Sequence, residues 1–400
     1  MGESIGARPQ DRGFHETLTF LKGASLYLPL HHPDVVTVPV GDNHDDFLIN
    51  NLGAYLSFNN ETRFECVEYM TDYLAKEAAK VIESKAGAAY FLTVAFNAPH
   101  TPLQAKKSDF ESLSHIVDPK RRAYAAMIKA LDRGVGTILD AIQATERADN
   151  TLIIFTSDNG APYYIGMPEN NAPFRGGKYS FFEGGLRIPM MMAWPSIIPP
   201  GAKNSQAVAH VDIFSTVAAA AGIDIKELAQ DKKYDGVNLL EYENTTFSSP
   251  TNHESTRSSL PHESLFWRSG HYMALKQGNM KIHVSERPDK VWIFNLLQDP
   301  TEHINLVPGL SWLSVNRTVT DSIGHCVEYV KQLMLPVVGA NNTDDVVFSE
   351  REVCIMADSI IKENKDQRKA LWPALLEVPI GIDLKSDNIG LEDDYVYWAN

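Results

Sequence analysis

Apolar residues fall at two kinds of spacing along the chain, and the two kinds alternate. Over Val67–Ser84 they sit at Met70, Leu74, Ala78 and Ile82, the spacing of one face of an amphipathic helix. Ala89–Phe96, AYFLTVAF, is a continuous apolar run and predicts a buried parallel strand. Helical spacing returns over Arg121–Thr145, through Ile128, Leu131, Val135, Ile138 and Ile142. Thr151–Thr156 (TLIIFT) and Pro189–Trp194 (PMMMAW) predict two more buried strands. A helix follows over Asp212–Ala221, stopped by Gly222. Such alternation predicts an α/β domain, a mostly parallel sheet sandwiched by helices.

The two ends of the chain read differently. Residues 1–62 look loop-like, with Pro9, Pro29, Pro33 and Pro39 and few periodic stretches. A structureless start of that length is unusual in a compact domain. After about residue 240 a polar stretch, ENTTFSSPTNHESTRSS, reads as a linker or surface loop. Short strands are then predicted at Leu265–Arg268, His271–Lys276, Met280–Val284 and Val291–Asn295, with Gly270 and Gln277–Gly278–Asn279 as turns. They make a small antiparallel sheet, on which a helix over Val315–Leu335 should pack. The expected division is therefore residues 1–240, a main domain, and residues 241–400, a smaller α+β domain.

Composition narrows the classes. The 400 residues are 44% hydrophobic and 22% charged, ordinary for a globular protein. A net charge of -15 argues against general nucleic-acid binding, which needs a basic footprint. It leaves room for an anionic substrate, because a local site can hold its own positive field. No run is apolar and long enough to predict a membrane span, and the first residues have no signal-peptide pattern. Cys66, Cys326 and Cys354 read either as three buried thiols or as one bridge, Cys326 to Cys354, with one thiol over. Asn60, Asn244, Asn316 and Asn341 head glycosylation sequons, which matter only in a eukaryotic secretory route. Oligomeric state is not readable from these features.

Three motifs carry candidate chemistry. In FNAPHTP, Phe96–Pro102, His100 follows the end of a predicted strand. Ligands gather at the carboxyl ends of strands in open α/β sheets, and an imidazole there can donate to an oxyanion or a leaving oxygen. The plainer reading is a polar loop histidine. In TLIIFTSDNG, Asp158 and Asn159 again follow a strand, and two adjacent oxygen side chains suit a hard cation. The plainer reading is an Asx turn closed by Gly160. In FRGGKYSFFEGGLRIP, Phe174–Pro189, two glycine pairs flank Lys178, a compact positive charge for an anionic group. Alone it could be a solvated loop lysine.

Taken in this order, the three motifs resemble the sulfatase family of the arylsulfatase type, in the alkaline-phosphatase-like superfamily. The resemblance runs nearly throughout: RGFHE and FLKGAS within residues 12–25, APHTP, SDNGAP, RGGKYSFFEGGLRIP, HVDIFSTVAAAAGI, LFWRSG, MKIH and FNLLQDPTEHINL. It implies sulfate-ester hydrolysis, with a cysteine-derived formylglycine as nucleophile and a calcium ion that holds nucleophile and sulfate. Carried over, Asp158 and Asn159 are metal ligands, His100 meets the sulfate near the leaving oxygen, and Lys178 binds a sulfate oxygen. Arg175 and Arg187 are expected to be structural. The substrate would be a sulfated small molecule or a sulfated carbohydrate, and family members are commonly secreted, periplasmic or lysosomal.

The chain departs from the family at one end. The modification signature, Cys-x-Pro-x-Arg or Ser-x-Pro-x-Arg, does not occur, and Cys66 is followed by Val67 and Glu68. The family's opening pair of aspartates is absent, since Asp45–Asp46 lies after RGFHE. The match therefore starts just past the nucleophile segment, and the expectation is an N-terminally truncated sulfatase, inactive alone, whose sheet exposes unpaired edges. The alternatives are a degenerate, non-catalytic sulfatase-like binding protein and a phosphate-ester hydrolase of the same superfamily.

Overall fold

The computed structural model describes residues 8–20, 24–41, 43–59, 61–228, 234–242, 260–307, 309, 311–321, 354–360 and 362. They fall into two compact units, residues 1–153 with 193–199, and residues 154–192 with 200–400. The polar stretch at residues 243–259, the C-terminal tail, Cys326, three of the sequons (Asn60, Asn244, Asn341) and the expected helix beyond Asp321 lie outside the described residues. Among the described residues, no helix is long and apolar enough to cross a membrane.

The first unit contains strands β1 (Leu18–Thr19) and β2 (Val35–Val38), helix α1 (Asn43–Asn51), strands β3 (Tyr55–Phe58) and β4 (Phe64–Glu65), helix α2 (Met70–Ser84), strand β5 (Leu103–Lys106) and helices α3 (Lys107–Ser112) and α4 (Pro119–Gln143). The expectation of a loop-like start is corrected here. Leu18 pairs with Phe58 in an antiparallel ladder, and Val35 pairs with Lys106 in another. These partners lie so far along the chain that no local periodicity announces them. Helix α2 buries Met70, Leu74, Ala78 and Ile82, the predicted stripe. Helix α4 starts where Asp118 accepts a hydrogen bond from Arg121 N at 2.8 Å, with Pro119 in the first turn. The two helices approach closely at Gly134, where a Cβ would lie 3.3 Å from that of Ala75. Arg133 of α4 ties the unit together, bonding Asp72 of α2 at 2.8 Å and Asp109 of α3 at 2.9 Å.

The strand expected over Ala89–Phe96 forms no ladder among the described residues. Residues 89–97 are extended, with Ala89, Phe91, Thr93 and Ala95 exposed and Tyr90, Leu92, Val94 and Phe96 half-buried. Tyr90 and Leu92 pack on Ile82 and Ile142, so one face rests on the helices. The alternation of exposure is that of a strand, and no neighbouring strand lies beside it among the described residues.

The second unit holds strand β6 (Ile153–Thr156, its first residue in the other unit), helix α5 (Glu183–Leu186), strand β7 (Met190–Ala193, its last residue in the other unit), helices α6 (Val211–Ala220) and α7 (Ile225–Leu228), strands β8 (Ser264–Ser269), β9 (Tyr272–Gln277), β10 (Met280–Glu286) and β11 (Asp289–Asn295), and helix α8 (Trp312–Asp321). Strands β6 and β7 pair with each other. Strands β8 to β11 form the expected antiparallel meander in the order β11-β10-β9-β8. Its inner face is apolar: Met273, Leu275, Ile282, Val284, Val291 and Ile293 pack with Trp312 and Val315 of α8 and with Met356 and Ile360. The pairings of β1 to β5 and β8 to β11 are antiparallel, so a mostly parallel sheet is not what the described residues display. Cys354 is disulfide-bonded, which corrects the reading of three free thiols, while Cys66 is free and buried.

Candidate active site

The Asp158–Asn159 loop begins where β6 ends. Asp158 Oδ1 accepts from Asn159 N at 2.8 Å and from Asn159 Nδ2 at 2.7 Å, which fixes the two oxygen-bearing side chains against each other. Gly160 N then donates to Gly185 O at 3.0 Å. Only glycine fits there, because a Cβ would fall 1.7 Å from Gly184 O.

The lysine loop is stitched to this turn. Asn171 uses both ends of its amide, Oδ1 accepting from Ala161 N at 2.8 Å and Nδ2 donating to Ala161 O at 2.7 Å and to Gly176 O at 3.0 Å. Lys178 N donates to Ala161 O at 3.3 Å. Gly177 is buried, and a Cβ on it would meet Ala161 O at 2.2 Å. The two glycines thus let the backbones touch, and the plain reading of the loop as a solvated lysine on a surface turn is not what forms. Lys178 is half-buried: burial lowers its pKa below the usual lysine value, and the charge of Asp158 opposes that fall. The structure therefore brings Asp158, Asn159 and Lys178 together.

Sequence reasoning missed several supports of these loops. His210, at the start of α6, donates from Nε2 to Ser157 O at 2.8 Å, just before Asp158. Asp212 is fully buried, receiving Ala209 N, Val237 N and the His262 imidazole at 2.7–2.9 Å. Histidine and aspartate one residue apart, in HVD, were the visible signal. Lys281 of β10 is fully buried with its Nζ 2.9 Å from both Glu183 Oε1 and Glu302 Oε1. The contact to Glu302 is ionic, its angle falling outside hydrogen-bond geometry. Glu302 also accepts from Glu183 N, and its carbonyl accepts from Arg175 Nη1 at 3.2 Å. Arg175 lies over the Phe182 ring and Arg187 over that of Phe174. The lysine loop is thereby anchored to the antiparallel sheet.

His100 belongs to the first unit. Its backbone N donates to Asn97 O at 2.8 Å, and its Nδ1 lies 2.8 Å from Thr101 O. A carbonyl can only accept, so Nδ1 carries the proton and Nε2 is the basic nitrogen of the neutral ring. The Tyr27 hydroxyl lies 2.9 Å from both Asn97 O and His100 O and closes the loop from far up the chain. Gln104 Oε1 in turn holds Tyr27 N at 2.6 Å. Cys66 is no substitute nucleophile: its thiol donates to Glu68 O and burial pushes its pKa up to about 11.

Asp158 and Asn159 supply one carboxylate and one amide, whereas calcium takes about six to eight oxygens. Among the described residues no group of three or more His, Cys, Asp or Glu is placed to hold a metal ion. These residues fit part of a cage and do not hold calcium by themselves.

The family model described as Sulfatase matches residues 11–223. The chain belongs to the sulfatase family. It is 36% identical over 154 residues to human N-acetylgalactosamine-6-sulfatase, covering 38% of this chain and 28% of that protein. It is 31% identical over 197 residues to human steryl-sulfatase, covering 47% and 32%. The chain thus spans about a third of the length of the curated relatives it matches. The crystal structure of Ps i-CgsB aligns at a TM-score of 0.63 and 27% identity, over 92% of this chain and 76% of that one. The same protein was solved in complex with k-i-k-neocarrahexaose, at the same similarity. These likenesses establish a sulfatase fold, with which the C-terminal antiparallel sheet is compatible.

Proposed function

We propose that this chain carries the sulfate-gripping half of a sulfate-ester hydrolase. The observation that supports it most is the stitched pair of loops, in which Lys178 is half-buried and feels the charge of Asp158. A half-buried ammonium on a loop whose backbone is bonded to Ala161 is a preorganised partner for a sulfate oxygen, and it stabilises charge in the transition state without reorganising. His100 keeps in this reading the role that the family resemblance gives it. With Nδ1–H on Thr101 O, its Nε2 is the atom that carries a proton to and from the leaving oxygen. Sulfatases as a family work with a metal ion; Asp158 and Asn159 are read as part of its ligand set, with calcium as the ion. The nucleophile is read as a formylglycine made from a Cys-x-Pro-x-Arg segment, which these 400 residues do not contain.

The same reading covers the fold and the substrate. Residues 1–240 are taken as the catalytic part and 241–400 as the smaller domain. A mostly parallel sheet is kept as part of this reading, supported by the strand-like alternation of exposure at residues 89–97. A sulfated carbohydrate is the preferred substrate class, because a structural relative was solved with a neocarrahexaose.

The test is turnover of an aryl sulfate and a sulfated oligosaccharide. The 400-residue chain alone should stay at background. Joined to an upstream family segment with the signature, in a host that makes formylglycine, it should become active, and His100→Ala should lower the rate. Turnover by the chain alone would overturn the assignment of the nucleophile. A restored enzyme indifferent to both His100→Ala and Lys178→Ala would overturn the site.

A further inference from the structure

A cluster of tyrosines sits beside Lys178. Tyr179 follows the lysine directly, and Lys178 Nζ lies 5.3 Å from the centre of its ring. The Tyr164 ring stacks against that of Tyr179 at 6.1 Å and 25°. Tyr163 meets Tyr164 edge-on at 6.4 Å and 71°. Tyr163 and Tyr164 belong to a 3-10 turn, Tyr163–Ile165, pinned by the buried Ile165. Tyr163 and Tyr164 are half-buried, and Tyr179 keeps 37% of its surface exposed.

The backbone at Tyr179 is the second observation. Its φ is +74°, in the left-handed region. A bulky side chain there is a steric outlier, and such outliers gather at ligand clamps. Gly176, three residues earlier, also has a left-handed φ of +75°, where glycine is free of that penalty. Glycine at position 179 would serve the loop as well or better, so the ring itself is what the strained position displays.

We infer that Tyr179 and Tyr164 form a stacking subsite for a pyranose ring whose sulfate is held by Lys178. The inference rests on the sulfate-ester reading above and specifies its substrate class. A sugar ring has an apolar C–H face and a hydroxyl rim. Offset tyrosines present apolar ring faces with phenol hydroxyls at their edges, which match both. The ester linkage keeps sulfate and ring adjacent, as Lys178 and Tyr179 are adjacent. Neutral sugars lack the anion, and inorganic sulfate lacks the ring, so each would use half of the site.

Calorimetric titration of the 400-residue chain tests this with inorganic sulfate, methyl sulfate, 4-nitrophenyl sulfate and a sulfated galactan tetrasaccharide. The tetrasaccharide should bind about tenfold tighter than methyl sulfate, equivalent to one good contact. Tyr179→Gly, which suits the left-handed backbone, should remove most of that gain and bring the tetrasaccharide within about twofold of methyl sulfate. Tyr164→Leu should act in the same direction, and circular dichroism checks that both variants fold. Full tetrasaccharide affinity in folded Tyr179→Gly and Tyr164→Leu would overturn the subsite. An equal, Tyr179-dependent gain for 4-nitrophenyl sulfate would also overturn it, by showing an aryl subsite. Sulfate binding that survives Lys178→Ala would instead overturn the sulfate-ester reading. Binding of none of the probes would overturn both.

Discussion

Replacing Lys281 by methionine should destabilise the second unit severely, and the cost can be worked from its surroundings. The side chain is fully buried, and its Nζ lies 2.9 Å from both Glu183 Oε1 and Glu302 Oε1. Methionine fills similar volume, so little is lost in packing and the change is chiefly electrostatic. Two buried carboxylates then face each other without their cation, with Arg187 of the same unit 4.0 Å from Glu183. Removing one partner of a buried pair costs about 3–5 kcal/mol. Burial already raises the pKa of Glu302, with Lys281 the largest opposing influence. Without Lys281 it rises further. A carboxyl with a raised folded pKa contributes stability that is present in acid and lost as pH rises through the folded pKa. The deficit of Lys281→Met should therefore be largest near neutral pH and shrink toward acid. Urea unfolding followed by the fluorescence of Trp292 and Trp312, at several pH values, measures this. Adding Glu183→Gln and Glu302→Gln should recover much of the loss, since neutral partners leave no orphaned charge. A loss below about 1 kcal/mol for Lys281→Met at neutral pH, the scale of an exposed pair, would refute the reasoning.

Other expectations follow from the same structure. His283 is fully buried among Phe181, Phe182, Tyr272 and Trp292, and burial holds its pKa well below 6.5. The unfolded chain takes up that proton first, so stability should fall as pH drops below its ordinary value of 6.5; His283→Phe should flatten this slope, and an unchanged slope in urea titrations would count against it. Gly160→Ala drives a Cβ to 1.7 Å from Gly184 O and should cost about 1–3 kcal/mol while weakening sulfate binding, read by thermal unfolding and calorimetry. In a restored, turnover-competent enzyme, Lys178→Ala should lower the rate about 100- to 1000-fold with Lys178→Arg only partly rescuing, whereas near-normal turnover by a folded Lys178→Ala would make the lysine a bystander.

Much of this protein was legible before any coordinates. The order His100, then Asp158–Asn159, then Lys178 with its glycine pairs pointed to the family, and the family match agrees. The stripes of α2 and α4 and the hairpins of β8 to β11 followed from spacing and turn residues. Those signals are local: periodicity, caps and turns act over a few residues, so a linear reading captures them. The rest depends on which distant segments meet. Leu18 pairing with Phe58, and Val35 with Lys106, turned a stretch read as loop into sheet. AYFLTVAF had the composition of a buried strand, yet burial and pairing belong to neighbours, and its exposed face and missing ladder appear only in three dimensions. Lys281 reads in sequence as one more strand lysine, MKIH, until Glu183 and Glu302 arrive from far along the chain to neutralise it. Tyr27 closing the loop around His100, and His210 bracing Ser157, are likewise contacts between segments. Sequence specified the candidate groups, because side-chain type is local; the tertiary structure alone decided which are desolvated and held in place, because that depends on what packs around them.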